Sequence, residues 1–274
     1  MKRILILATT TGYQTRVFAE AAARLGWQAV LATDQCHQLE DPWGDSAITV
    51  RFDNPARWAG VLAANGPFDG IVAVGDRPTF LAAMAAQRLG IPYNPPAAVE
   101  ACRSKYLARE RFRAAGLNVP GYFRVPLASD PCDAARRARY PCVLKPLGLS
   151  ASRGVIRADN EPEFVRAFER IKALLESREI RVQKDEHSRY VQVEDFIPGR
   201  EFAIEGLITG GRLQVLALFD KPDPLDGPFF EETIYVTPSR EAPEVQRALV
   251  GAAERAVRAL GLTCGPVHAE ARYN

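Results

Sequence analysis

The chain has 274 residues, 47% hydrophobic and 25% charged, a globular composition with apolar material for more than one core. Lys and Arg total 35 against 33 Asp and Glu, a net charge of +2, which excludes a strong bulk field for holding nucleic acid or a membrane surface. No run approaches the length of a membrane span, and "ILILA" after Lys2 and Arg3 is too short for a secretory core, so a cytoplasmic protein is expected.

The first hundred residues alternate short apolar runs with helical patterns, the signature of β-α units around a parallel sheet. "RILILA" reads as a buried strand, followed by a helix from Thr15 to Leu25 that ends at Gly26. "WQAVLAT" and "AITVRF" are the second and third strands, and a helix from Pro55 to Ala64 stops before "NGP". "FDGIVAVG" is the fourth strand, and a helix through "PTFLAAMAAQRLG" follows. Asp76 is expected to cap that helix, although the carboxyl end of a strand is also where open α/β sheets place ligands. The outline is Rossmann-like, but "ATTTGYQT" after the first strand has one glycine where a dinucleotide turn needs three.

Pro95 and Pro96 break this rhythm, and a new helix starts just after them. Strands at "YFRVPL", "YPCVLKPL", "GVIRA", "YVQVEDFI", "REFAIEGLIT" and "RLQVLALFDK" then follow, mostly joined by turns such as "IPGR" and "TGGR". One helix interrupts them from Glu161 to Ser177, capped by Asn160 and striped by Phe164, Phe168, Ile171 and Leu175. A last helix from Pro243 to Leu260, closed by Gly261, leads into the strand "GPVHAEARYN". This second part is α+β. Cys36, Cys102, Cys132, Cys142 and Cys264 form no Cys-x-x-Cys pair and read as reduced thiols.

Three places carry candidate chemistry. In "CVLKPLGLSASRGV", Lys145 ends a buried strand before a loop holding Gly148, Ser150, Ser152 and Gly154. Small residues let backbone N–H groups reach phosphate oxygens beside a lysine charge, whereas the bland alternative is a hairpin with a snorkelling lysine. In "VEDFIPGREFAIEGL", Glu194 and Glu201 could accept from an adenine amino group and ribose hydroxyls, with Phe196 and Ile197 as an apolar slot. Acids at alternate strand positions can equally be a solvated face. Lys105 lies in the basic helix "ACRSKYLARERFRAAG", a pattern that usually faces solvent and lacks the interleaved aromatics of a nucleic-acid binder. His268 falls on the same strand face as Glu270, as either a substrate contact or a structural histidine.

Taken together, these segments resemble the ATP-grasp superfamily. Within it, "VLKPLGLSASRGV", "VEDFIPGREFAIEG", "LFDKPDPLDGPFFEETIYVTPS" and "GPVHAEARYN" look most like the carboxylate-amine ligases of the L-amino-acid ligase type. The resemblance implies a Rossmann-like domain over 1–95, a connecting helix over 96–118, a small subdomain with the phosphate loop over 119–195 and a large subdomain over 196–274. It implies that Lys105 and Lys145 contact ATP phosphates under a loop through Ser150, Ser152 and Gly154. The segment Glu194, Asp195, Phe196 and Ile197 would hold adenine, Glu201 the ribose, and Lys221 would reach the phosphates.

Glu270 would be the first ligand of Mg2+, with Mn2+ as an alternative, and Lys145 and Glu270 would carry the catalysis. The reaction implied is amide formation through an acyl phosphate, with small-molecule carboxylate and amine substrates, amino acids by family, and a homodimer as the default assembly. Nucleic acid and membranes are not expected as partners. The family's second metal acid and its substrate arginine do not follow Glu270, and Arg272 precedes the place where that arginine would stand. The expectation is therefore a truncated ligase, with two alternatives: an ATP-grasp module without ligase activity, or a purine-pathway or biotin-carboxylase-like enzyme.

Overall fold

The computed structural model describes residues 1–9, 13–34 and 47–274, which form two compact units, Met1–Glu100 and Ala101–Asn274. Cys36, His37 and part of the "TTTG" turn lie outside the described residues.

The first unit contains β1 (Arg3–Ala8), α1 (Tyr13–Arg24), β2 (Gln28–Thr33), β3 (Ile48–Thr49), α2 (Pro55–Ala64), β4 (Gly70–Val74) and α3 (Thr79–Leu89). Its four strands are parallel in the order β3-β2-β1-β4, as the alternating pattern predicts. β1 is flanked on both sides, so both of its faces are buried: Leu5 and Leu7 enter one apolar cluster, Ile6 and Ala8 another.

Two local expectations are corrected here. Among the described residues, the third strand is short: its ladder runs over Ile48 and Thr49, the Val50 amide still donates to the Thr33 carbonyl at 3.0 Å, and Asn54 then accepts the Arg57 amide at 3.2 Å to start α2 ahead of Pro55. Asp76 does not cap α3 with its side chain; the helix begins at Thr79 after Pro78, and the Thr79 hydroxyl donates to the Asp76 carbonyl at 2.6 Å.

Next in the chain come α4 (Pro96–Arg103) and α5 (Lys105–Ala114), two helices in place of the one expected over 96–118. Ser104 separates them: its backbone is extended, and its hydroxyl accepts the Leu107 amide at 3.4 Å as the cap of α5.

The second unit holds two antiparallel sheets. The first comprises β5 (Tyr122–Pro126), β6 (Cys142–Pro146), β7 (Ile156–Ala158) and β8 (Tyr190–Asp195), in the order β5-β8-β6-β7. The helices α6 (Pro131–Ala135), α7 (Glu161–Leu175) and α8 (Arg178–Arg181) accompany it.

α7 starts in a reciprocal cap, with Asn160 accepting the Glu163 amide at 3.0 Å and Glu163 accepting the amide of Asp159, the residue before the cap, at 2.8 Å. Its stripe of Phe164, Phe168, Ile171 and Leu175 buries against Leu144, Ile156, Val191 and Val193. Each such side chain contributes about 1.5–3 kcal/mol by removal from water. Alternation along β8 then turns Gln192 and Glu194 away from the face that carries Val191 and Val193.

The second sheet has β9 (Arg200–Thr209), β10 (Arg212–Lys221) and β11 (Cys264–Tyr273), in the order β10-β9-β11. α9 (Pro243–Leu260) covers one face, with Val245, Leu249 and Ala253 against Phe202, Ile204 and Leu218. The register brings Glu201 opposite Lys221 on one side and Arg272 on the other, with Ala203 opposite Glu270. Among the described residues, no helix is long and apolar enough to cross a membrane.

Candidate functional site

The face of β8 opposite the core carries a buried carboxylate. Glu194 is 2% exposed, and both of its oxygens are fully engaged. Oε1 accepts from Arg109 Nε at 2.7 Å and from Gln192 Nε2 at 2.6 Å; Oε2 accepts from Lys145 Nζ at 2.6 Å and from Arg109 Nη2 at 3.2 Å. Burial works to raise this carboxyl's pKa, but Lys145 and Arg109 outweigh burial and hold it well below the usual carboxylate range. The solvated-face reading of Glu194 is thus corrected: the side chain is buried, and Arg109, Lys145 and Gln192 occupy both of its oxygens.

Lys145 comes from the adjacent strand, where it stands opposite Gln192 and reaches diagonally to Glu194. After β6 the chain enters the small-residue loop. Ala151 and Ser152 take φ of 54° and 52°, and Gly154 takes 77°. A side chain at Gly154 would also meet Leu174 and Pro146 at 2.9 Å, so glycine is required there on two counts. Ser150 accepts the Arg153 amide and Ser152 the Val155 amide through their carbonyls, which gives the loop its curled form. Lys105, the first residue of α5, ties to this loop through its Nζ to the Leu149 carbonyl at 2.5 Å and its amide to the Leu147 carbonyl at 3.2 Å. Lys105 is thus tied to the start of the loop that follows Lys145 in the chain.

The link from β8 to β9 contains Asp195, Phe196 and Ile197. The Asp195 amide donates to the Gly121 carbonyl at 2.9 Å, and the Phe196 amide to the Pro141 carbonyl at 3.0 Å. A Cβ at Gly121 would collide with Asp195 Oδ2, so that glycine admits the carboxylate. Phe196 packs with Val143, Leu225 and Phe230, and the guanidiniums of Arg157 and Arg272 lie 4.3 Å and 5.3 Å from its ring centroid.

On the second sheet the polarity is reversed. Lys221 is 6% exposed, and its ammonium contacts Glu232 at 2.6 Å, Glu270 at 2.7 Å and Glu201 at 2.9 Å. Burial would lower the lysine's pKa; the Glu232, Glu270 and Glu201 carboxylates outweigh it and hold the ammonium above the usual lysine range. Glu201 also accepts from Arg272 Nε at 3.0 Å, while Arg272 Nη1 donates to the Ile197 carbonyl at 2.8 Å and Nη2 to that of Leu225. Carboxylate oxygens of Glu201, Glu232 and Glu270 lie within 4.8 Å of one another, a hard-oxygen donor set of the kind Mg2+ takes. His268 sits beside them, with Nδ1 2.6 Å from Glu205 and Nε2 3.5 Å from Glu270; hydrogen bonding to Glu270 and then Glu205 raises its pKa to about 9.

Sequence reasoning missed Arg109, Glu232, Glu205 as the partner of His268, and the clamp by Arg272. Arg109 follows Lys105 by one helical turn, which places both on one face of α5 and was a usable signal. Glu232 lies in an irregular segment without periodicity, so although "LFDKPDPLDGPFFEETIYVTPS" carries the resemblance, no pattern within it singles out this acid.

Comparison with known proteins matches residues 138–274 to the ATP-grasp domain and residues 19–93 to the ATP-grasp N-terminal domain. The structure is similar to an L-amino acid ligase from Bacillus licheniformis, with a TM-score of 0.79 and 26% identity, covering 99% of this chain and 63% of that one. By sequence the chain is 28% identical over 280 residues to the uncharacterized protein y4rH of Sinorhizobium fredii (strain NBRC 101917 / NGR234), covering 100% of this chain and 56% of that protein. It is 25% identical over 233 residues to Carnosine synthase 1 of Homo sapiens, covering 80% of this chain and 27% of that protein. The chain thus spans less than two thirds of the length of each of these relatives. With both of its parts matched and the fold shared along nearly its whole length, the chain belongs to the ATP-grasp family.

Proposed function

We propose that this chain binds ATP between its two antiparallel sheets and carries the nucleotide-binding part of a carboxylate-amine ligase. The observation that supports this most is that Lys105, from a distant position in the sequence, is tied by its amide and its ammonium to the Leu147 and Leu149 carbonyls, at the start of the small-residue loop that follows Lys145. In that reading the ammonium groups neutralise phosphate oxygens, and backbone N–H groups of the curled loop cover them. The main chain of Glu194, Asp195, Phe196 and Ile197 holds adenine beside Val143, and Glu201 meets the ribose.

The relatives named as an L-amino acid ligase and Carnosine synthase 1 support a reaction that joins a carboxylate to an amine. A substrate carboxylate attacks the terminal phosphorus of ATP, ADP leaves, and the amine then displaces phosphate from the acyl phosphate to form the amide. Negative oxygen must approach negative oxygen in the first step, so the work of this chain's residues is charge neutralisation and exclusion of water. Glu270, with the nearby Glu232, would hold Mg2+, whose contribution is to offset phosphate charge. Lys221 holds the carboxylates of Glu201, Glu232 and Glu270 together.

The test is amino-acid-dependent ADP release by this polypeptide, measured with panels of acids and amines. ADP release that requires both an acid and an amine is the expected result. Nucleotide binding without any release supports a binding module, and release dependent on formate or bicarbonate supports the purine-pathway or carboxylase-like alternative.

A further inference from the structure

Arg109 lies in α5, outside the four segments that carry the resemblance to carboxylate-amine ligases. Its guanidinium grips the Glu194 carboxylate with two prongs, Nε at 2.7 Å and Nη2 at 3.2 Å, while Lys145 takes the same carboxylate at 2.6 Å. Glu194 is 2% exposed, whereas the Arg109 and Lys145 side chains are 25% and 23% exposed. One buried negative charge is therefore shared between two cations that both retain an open side.

The arrangement is built around the carboxylate. Gln192, itself 0% exposed, turns its amide nitrogen to Glu194 Oε1 at 2.6 Å and leaves its own carbonyl oxygen without a partner. Turning the amide over would set oxygen against oxygen, so the orphaned carbonyl follows from the charge on Glu194.

Consider the same site without Arg109. Lys145 would face an uncompensated buried carboxylate, and its attraction for a phosphate would be offset by the negative charge directly behind it. With Arg109 in place, the three groups sum to one net positive charge. We infer that Arg109 is a positioning residue: by neutralising Glu194 it lets that carboxylate fix the Lys145 ammonium in place while leaving the ammonium's charge available to phosphate oxygens. This rests on the nucleotide reading of Lys145 given above.

The experiment measures binding of magnesium-AMP-PNP by titration calorimetry, with circular dichroism and a thermal melt on every variant. K145A is the reference for loss of the phosphate contact, expected to weaken binding about a hundredfold. R109Q should weaken it on the order of tenfold, and R109K should recover part of that loss, since lysine restores charge but not the two-pronged geometry. The decisive comparison is non-additive. R109Q/E194Q should bind more tightly than R109Q, because a neutral amide in place of the carboxylate no longer competes for Lys145.

A double variant no tighter than R109Q overturns the inference, as does R109Q binding like wild type. If R109Q does not fold, E194Q and R109Q/E194Q carry the test: affinities within about threefold support action through Glu194, and any larger loss on removing Arg109 overturns it. Failure of the nucleotide reading is distinguishable, since wild type would then not bind, or K145A would bind as well as wild type. Either result overturns this role with it.

Discussion

Two buried charges sit on the two sheets of the second unit with opposite arrangements. On β8, one carboxylate, Glu194, is surrounded by the cations Lys145 and Arg109; on β10, one ammonium, Lys221, is surrounded by the carboxylates of Glu201, Glu232 and Glu270. Each buried charge is over-compensated by its neighbours, and the excess falls on side chains with solvent on one side. The first network therefore presents positive charge and the second negative charge, which is the polarity needed by phosphate oxygens and by a divalent cation respectively. A single net charge of +2 for the whole chain conceals this separation.

The comparison can be broken most severely at Lys221. Lys221→Met leaves three carboxylates facing one another without their shared cation, and removing one partner of a buried ion pair typically destabilises by about 3–5 kcal/mol. Calorimetry should show a lower melting temperature than wild type, with a larger recovery on adding Mg2+ than wild type displays. An unchanged melting temperature would mean that the acids do not depend on the lysine.

Lys145→Ala tests the positive network in turn. It should weaken ATP binding about a hundredfold, equivalent to about 2.7 kcal/mol, as read by fluorescence or calorimetric titration.

A pH series sharpens the comparison at Glu194. Its folded-state pKa is depressed, so the stability it contributes is present above the ordinary carboxylate value of about 4.3 and is lost as pH falls below that. Denaturant midpoints of wild type and Glu194→Gln should differ most near pH 7 and converge as the solution is acidified through about pH 4 and below. A gap that stays constant with pH would assign the effect to packing instead.

The smallest expected effect is at Lys2, whose ammonium lies over the Trp27 ring in the first unit. Lys2→Ala should leave ATP affinity unchanged within error. A loss equal to that of Lys145→Ala would show that the phosphate assignment reports only general positive charge.

Much of the fold was legible because its signals are local. The β1 run, the Asn160 cap, the stripe on α7 and Gly261 at the end of α9 each depend on residues a few positions apart. The splitting of the helix at Ser104 was also locally encoded, since serine prefers the cap position, but it was masked by the helical pattern on both sides. Of the site, the lysines, the small-residue loop and the strand-borne acids could be read from their motifs. Their pairing could not be read, because an acid at an alternate strand position has the same sequence pattern whether it faces water or is buried against an arginine.

By itself, then, the sequence determined which residues can form strands and helices, and which side chains bear charge on alternate faces. Only the tertiary structure decided which charges meet. Arg109 and Glu194 are 85 residues apart, Lys145 and Glu194 49 apart, and Lys221 and Glu270 49 apart. Such pairs are set by strand register and by the placement of α5, and a shift of one residue in register would turn the same side chains to the opposite face.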